Sequence, residues 1–158
     1  MNISKQVNIF IVDDNKIFSM TLKGFIETTF NKTLLKIDVF ETGERCMERF
    51  LQVMPNLVIH DYSLNSNSSG AADGLQVLAK IKATNSKTSV TMLTSNDNIE
   101  TILESFHYGA SDYVVKTESP FKKINKSISK VFADKEIEFQ NAEKEKNANE
   151  EKKSAQQN

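Results

Sequence analysis

Three aspartates, a threonine and a lysine stand where short apolar runs of the chain end. Asp13 and Asp14 follow Val7–Val12, and Asp61 follows Leu57–His60. Thr94 and Ser95 follow Ser89–Leu93, and Lys116 follows Tyr113–Val115. If these ends meet, three carboxylates repel one another, which raises at least one pKa. A hard divalent cation removes the conflict. Mg²⁺ prefers oxygen ligands and uses one or two carboxylates, leaving places for water and phosphate oxygens. Lys116 offers a cationic donor for a phosphoryl oxygen, and Thr94 offers a hydroxyl for another. One carboxylate can then attack phosphorus and become an acyl phosphate. Metal and lysine would stabilise the charge on the transferring group.

Whether the ends meet depends on the elements between them. Val7–Val12 is a nearly continuous apolar run, as expected of a strand buried on both faces. Asn15–Phe30 carries Ile17, Phe18, Leu22, Phe25, Ile26 and Phe30 at helical spacing. Leu34–Phe40 reads as a strand, Glu44–Val53 as a helix ended by Pro55, and Leu57–His60 as a second buried strand. Asp73–Ala83 is the next helix, with Asp73 as its cap. Ser89–Leu93 is a strand. Asp97–His107 is a helix with Ile99, Ile102, Leu103 and Phe106 on one side, stopped by Gly109. Tyr113–Val115 is the last strand. Ser119–Phe132 is the last helix, with Ser119 as its cap and Pro120 in its first turn. Five strands alternating with five helices predict an α/β fold with a parallel sheet covered on both faces. Sites in such sheets form beyond the carboxyl ends of the strands. That is the edge where the aspartates, Thr94 and Lys116 stand.

Composition limits the alternatives. The chain has 158 residues, close to the usual size of about 150 residues for one domain. Lys plus Arg is 20 and Asp plus Glu is 21, a net charge of −1, which argues against a generally basic nucleic-acid binder. The one cysteine, Cys46, cannot form an internal disulfide and reads as a small buried hydrophobe. No run approaches the roughly 18 apolar residues of a membrane span, and no signal peptide is evident, so a cytoplasmic protein is expected. From Asp134 to Asn158 the only apolar residues are Ile137, Phe139, Ala142, Ala148 and Ala155. Residues 1–133 are therefore expected to fold, and 134–158 to form a charged polar tail, partly helical or disordered. A coiled coil fails at Lys135 and Glu138, which interrupt the seam of Ile124, Ile128 and Val131.

The motifs IFIVDDN (9–15), LVIHD (57–61), DGLQVL (73–78), TMLTS (91–95) and GASDYVVK (109–116) occur in this order. Together they resemble the receiver domain of the two-component response regulators, a family that includes the single-domain chemotaxis regulators. The resemblance implies a doubly wound, flavodoxin-like sheet of strand order 2-1-3-4-5. It implies Asp61 as the phosphoacceptor and Mg²⁺ as the cofactor. Asp14 and Asp61 would bind the metal with the backbone carbonyl of Ser63, and Asp13 would act through water. Lys116 would contact the phosphoryl group, Thr94 would move toward it, and Tyr113 would turn inward afterwards. Ser95 supplies the small residue that the family needs after the threonine.

Two features depart from the family pattern. Asp61 to Gly74 spans thirteen positions through SLNSNSSGAA, longer than usual and without the frequent proline. Ser, Asn and Gly suit a surface loop. Lys116 is followed by Thr117, where the family usually has proline after a cis bond. A cis bond before a non-proline residue costs roughly 2.5–4 kcal/mol. Either a trans bond with a rearranged loop or a strained cis bond is expected.

Other residues have plainer readings. His60 is expected to be a packed or partly exposed strand histidine, and His107 a surface residue. Phe106, Tyr108 and Phe121 are core residues or parts of a partner surface. Ser63 and Asn96 flank the path of attacking water and would tune the phosphoryl lifetime. The implied partners are a sensor histidine kinase or phosphotransfer protein, together with an output protein. No direct nucleic-acid contact and no membrane insertion are expected, and the resemblance leaves room for a phosphorylation-dependent homodimer. An aspartyl phosphatase would want a second acid two residues after its nucleophile. That position is Ser63. A scaffold independent of phosphorylation would not need the complete chemical set.

Overall fold

The computed structural model describes residues 5–64, 73–95, 97–117 and 119–157. The segment 65–72 of the long loop and Asn96 lie outside the described residues, as does the reading given to each. The order is β1 (Val7–Val12), α1 (Lys16–Thr29), β2 (Leu35–Phe40), α2 (Gly43–Val53) and β3 (Leu57–Asp61). It continues with α3 (Gly74–Thr84), β4 (Ser89–Thr94), α4 (Ile99–His107), β5 (Asp112–Val115) and α5 (Pro120–Gln156). The five strands form one parallel sheet in the order β2-β1-β3-β4-β5.

The apolar runs are continuous because both faces of the central strands are covered. On one face Ile9, Ile11, Ile59 and Leu93 pack with Leu22 and Ile26 of α1 and with Ile124 and Ile128 of α5. On the other, Phe10, Val12, Val58 and Met92 pack with Cys46 and Phe50 of α2 and with Val77, Leu78 and Ile81 of α3. Side-chain oxygens cap the helices where the chain enters them. Asn15 accepts from the Phe18 N–H at 3.0 Å, and Asp73 accepts from the Gln76 N–H at 2.8 Å.

Four local expectations need correction. Ser119 sits at the start of α5 with φ 50° and makes no side-chain cap bond. A capping hydroxyl reaches the first turn from an extended backbone, and this one is left-handed. Helix α4 begins at Ile99 rather than Asp97, because Asn98 is its cap and accepts from the Glu100 N–H. Ile17 is 82% exposed, so the apolar stripe of α1 is narrower than its spacing implied. Helix α5 runs on without a break to Gln156, 37 residues in all. The segment past Asp134 buries almost nothing, but it is rich in Lys, Glu, Gln and Ala, which are good helix formers. Extending a helix that already exists avoids the cost of nucleation.

Candidate functional site

The carboxyl ends of β1, β3, β4 and β5 lie side by side, in register Val12 with His60, Asp61 with Leu93, and Thr94 with Val115. That register brings the strand-end residues together. Carboxylate oxygens of Asp13, Asp14 and Asp61 all lie within 4.8 Å of one another. Lys116 Nζ stands 2.7 Å from Asp13 Oδ2 and 3.5 Å from Asp61 Oδ2. The backbone helps to place it, since the Lys116 N–H donates to the Thr94 carbonyl at 2.7 Å. The Lys116–Thr117 bond is trans, the first of the two expected outcomes.

Burial grades the three acids. Asp13 is fully buried, Asp61 is nearly so, and Asp14 is exposed. Asp13 Oδ1 accepts from the Asn15 N–H at 2.8 Å, while Oδ2 meets the Lys116 ammonium at 2.7 Å. Asp61 Oδ1 accepts from the Ser63 N–H at 3.2 Å. Burial pushes the Asp61 carboxyl above its ordinary value of 3.8, and the charges of Asp13 and Asp14 add to the rise. Lys116 and the Ser63 N–H oppose it. A cluster of three carboxylates within 4.8 Å of one another, one of them open to solvent, fits a hard cation that keeps part of its water.

Thr94 is buried at the end of β4. Neighbours in register share a face of the sheet, so Thr94 lies on the face of Val115, and Met92 on that of Tyr113. Tyr113 is half-buried against the cluster of α2 and α3. Thr94 and Tyr113 thus lie on one side of adjacent strands. Ser63 is exposed beside Asp61, and Ser95 is exposed just beyond Thr94.

Three neighbours were not singled out by the sequence as parts of the site. His60 is fully buried, and its Nδ1 lies 2.7 Å from the Asp61 carbonyl oxygen. Tyr62, next to Asp61, reaches across to α4, with its hydroxyl 3.5 Å from Glu104 Oε2. The Phe18 ring lies beneath Lys116, its centroid 4.7 Å from Nζ. Phe18 was legible only as one of the apolar positions of α1. The fold, not the spacing, carries it to the lysine. On α4 the apolar side faces solvent: Ile99 is 70%, Leu103 64% and Phe106 47% exposed. Tyr108 is exposed as well, while Phe121 is half-buried against Phe18 and Phe25.

Comparison with known proteins agrees with this fold. The family model for the response regulator receiver domain matches residues 9–129. The chain is 30% identical over 118 residues to a probable C4-dicarboxylate response regulator, DctR, of Priestia megaterium, covering 75% of this chain and 47% of that protein. It is 25% identical over 108 residues to the regulatory protein AtoC of Escherichia coli K12, covering 68% of this chain and 22% of that protein. The chain therefore spans about half or less of the length of these relatives. Among solved structures, the fold is similar to a CheY-like receiver domain protein of Methanospirillum hungatei. The TM-score is 0.71 at 20% identity, covering 84% of this chain and 98% of that one.

Proposed function

The chain belongs to the response regulator receiver family, and on that premise we propose that Asp61 accepts a phosphoryl group from a histidine kinase or phosphotransfer protein. The observation that carries this reading is the Lys116 ammonium set between Asp13 and Asp61, with three carboxylates within 4.8 Å. A carboxylate oxygen of Asp61 attacks phosphorus, and the bond from phosphorus to the donor breaks. The donor leaves with that electron pair, and an acyl phosphate remains on Asp61. Asp14, Asp61 and the Ser63 carbonyl would hold Mg²⁺ directly, and Asp13 through water. The ion supplies charge neutralisation for the transferring group. Lys116 binds a phosphoryl oxygen, and Thr94 donates its hydroxyl to another.

The added negative charge biases a two-state switch. Thr94 moves toward the phosphoryl group, Tyr113 follows inward, and the face around α4 and α5 repacks for an output protein. The exposed Ile99, Leu103 and Phe106 support that face as the docking surface. The domain thus takes part in phosphotransfer and hydrolyses its own acyl phosphate rather than turning over a soluble substrate. We place it in the cytoplasm, beside its kinase. No helix among the described residues is long and apolar enough to cross a membrane.

The test is intact mass after incubation with Mg²⁺ and a small acyl phosphate donor, on the wild type and on Asp61→Ala. One added phosphoryl group in the wild type alone is expected. An unmodified wild type, with small donors and with a cognate kinase, would sink the reading. So would equal labelling of Asp61→Ala.

A further inference from the structure

Lys116 is held from three sides. Asp13 and Asp61 supply charge, and the third contact is the face of Phe18, 4.7 Å from Nζ. Only 17% of the lysine side chain is exposed, so the ring acts on a partly desolvated ammonium, where such contacts are strongest. The ring is itself fixed. Phe18 lies 5.9 Å from Phe121, tilted by 49°, and Phe121 stacks on Phe25 at 5.0 Å. Phe18 and Phe25 belong to α1, and Phe121 to the first turn of α5, just after the segment that leaves Lys116. Three rings from two helices thus pack in series, and the first of them, Phe18, lies under the ammonium.

The two carboxylates are the groups that the proposed chemistry occupies, Asp13 beside the metal and Asp61 as acceptor. The ring is neutral and has no competing ligand. We propose that Phe18 is a positioning residue: its π face keeps the Lys116 ammonium beside Asp61 while the carboxylates change partners. The role of the contact in catalysis rests on the phosphoacceptor reading above, but the contact itself does not.

The test replaces the Phe18 ring by 3,4,5-trifluorophenylalanine in the full chain, which keeps its shape and weakens its π face. Phe18→Tyr and Phe18→Leu accompany it. With Mg²⁺ and a small acyl phosphate donor, the fluorinated chain should be phosphorylated about three- to tenfold more slowly, the size expected of such a contact. Phe18→Tyr should stay near the wild-type rate, and Phe18→Leu should lose at least as much as the fluorinated chain. In a Lys116→Met background the fluorinated ring should cost nothing further, because the two act as a unit. In the wild type without metal, ring current should move the Lys116 ε-methylene protons upfield. That shift should survive saturation with Mg²⁺ and vanish in Phe18→Leu. An unchanged rate in the fluorinated chain overturns the proposal, as does an equal loss with Lys116→Met present. An ε-methylene signal at the position of an exposed lysine overturns it too. If the wild type accepts no phosphoryl group at all, the phosphoacceptor reading fails separately, and the proton shift alone then decides the contact.

Discussion

His60 sits one residue before Asp61 with no exposed surface. Burial pushes its pKa down from 6.5 to about 4, against a smaller opposing pull from the Asp61 carbonyl and the Asp73 charge. The ring is therefore neutral near pH 7. A carbonyl oxygen can only accept, so Nδ1 carries the proton and donates to the Asp61 carbonyl. The unfolded chain takes up a proton below 6.5, and the folded chain resists doing so until about 4. His60 thus contributes stability that is full above 6.5 and lost as pH falls through that window. At roughly 1.36 kcal/mol per pKa unit, the loss is about 3 kcal/mol. Denaturant unfolding at pH 7 and pH 4 should show that fall in the wild type and a smaller one in His60→Gln. Asp61 has the opposite sign. Its raised carboxyl pKa means that the folded chain keeps a proton that the unfolded chain has released. Stability is therefore lost as pH rises above the ordinary carboxylate value. Without metal, Asp61→Asn should melt at a higher temperature than the wild type at pH 7, and the difference should shrink at pH 4.

At the scale of elements, two glycines in helices have opposite meanings. A Cβ on Gly74, at the start of α3, would lie 2.5 Å from the Tyr62 carbonyl oxygen and 2.9 Å from that of Asp61. Both are backbone atoms, and neither can yield without moving the end of β3. Gly74→Ala should cost about 1–3 kcal/mol by overpacking and slow phosphorylation at Asp61. Gly24, inside α1, has open space where a Cβ would point, with no described atom within 4 Å beyond its own chain neighbours and helical turn. Gly24→Ala should stabilise the chain by about 0.5–1 kcal/mol in thermal unfolding, without changing phosphorylation. The Asp-Gly pair at 73–74 thus combines a helix cap with a residue small enough for α3 to start against the end of β3.

For the whole molecule, α5 is the outlier. Its 37 residues reach about 56 Å at 1.5 Å per residue, well past the sheet. Among the described residues, aromatic and charged contacts support it just beyond Val131. Phe132 stacks on Phe30 at 5.3 Å, Lys5 Nζ lies 4.3 Å from the centre of the Phe139 ring, and Lys5 meets Glu136 at 3.9 Å. Removing residues 141–158 should change unfolding free energy by less than about 0.5 kcal/mol while lowering the helical circular dichroism. Cutting at 131 also removes Phe132 and Phe139, and the melting temperature should then fall. Amides beyond 140 should exchange far faster than those of 121–131, since little buries them.

The order of elements, the parallel sheet and the acids, threonine and lysine at its edge were legible in the residues. Strand runs and helical spacing are local patterns, and in a parallel sheet the residue after a strand has nowhere to go but the carboxyl edge. The rest depended on what each face meets. The α4 stripe of Ile99, Leu103 and Phe106 reads like that of a core helix, yet it faces solvent, because spacing shows that a helix has an apolar side and not what covers it. Low hydrophobicity past Asp134 argued against burial, yet a helix extended from a packed one needs none. His60 is neutral only because the fold buries it, and Phe18 under Lys116 lies far from that lysine in sequence. Only the packing of α1 and α5 against one face of the sheet puts the ring, the ammonium and the aspartates within reach of one another.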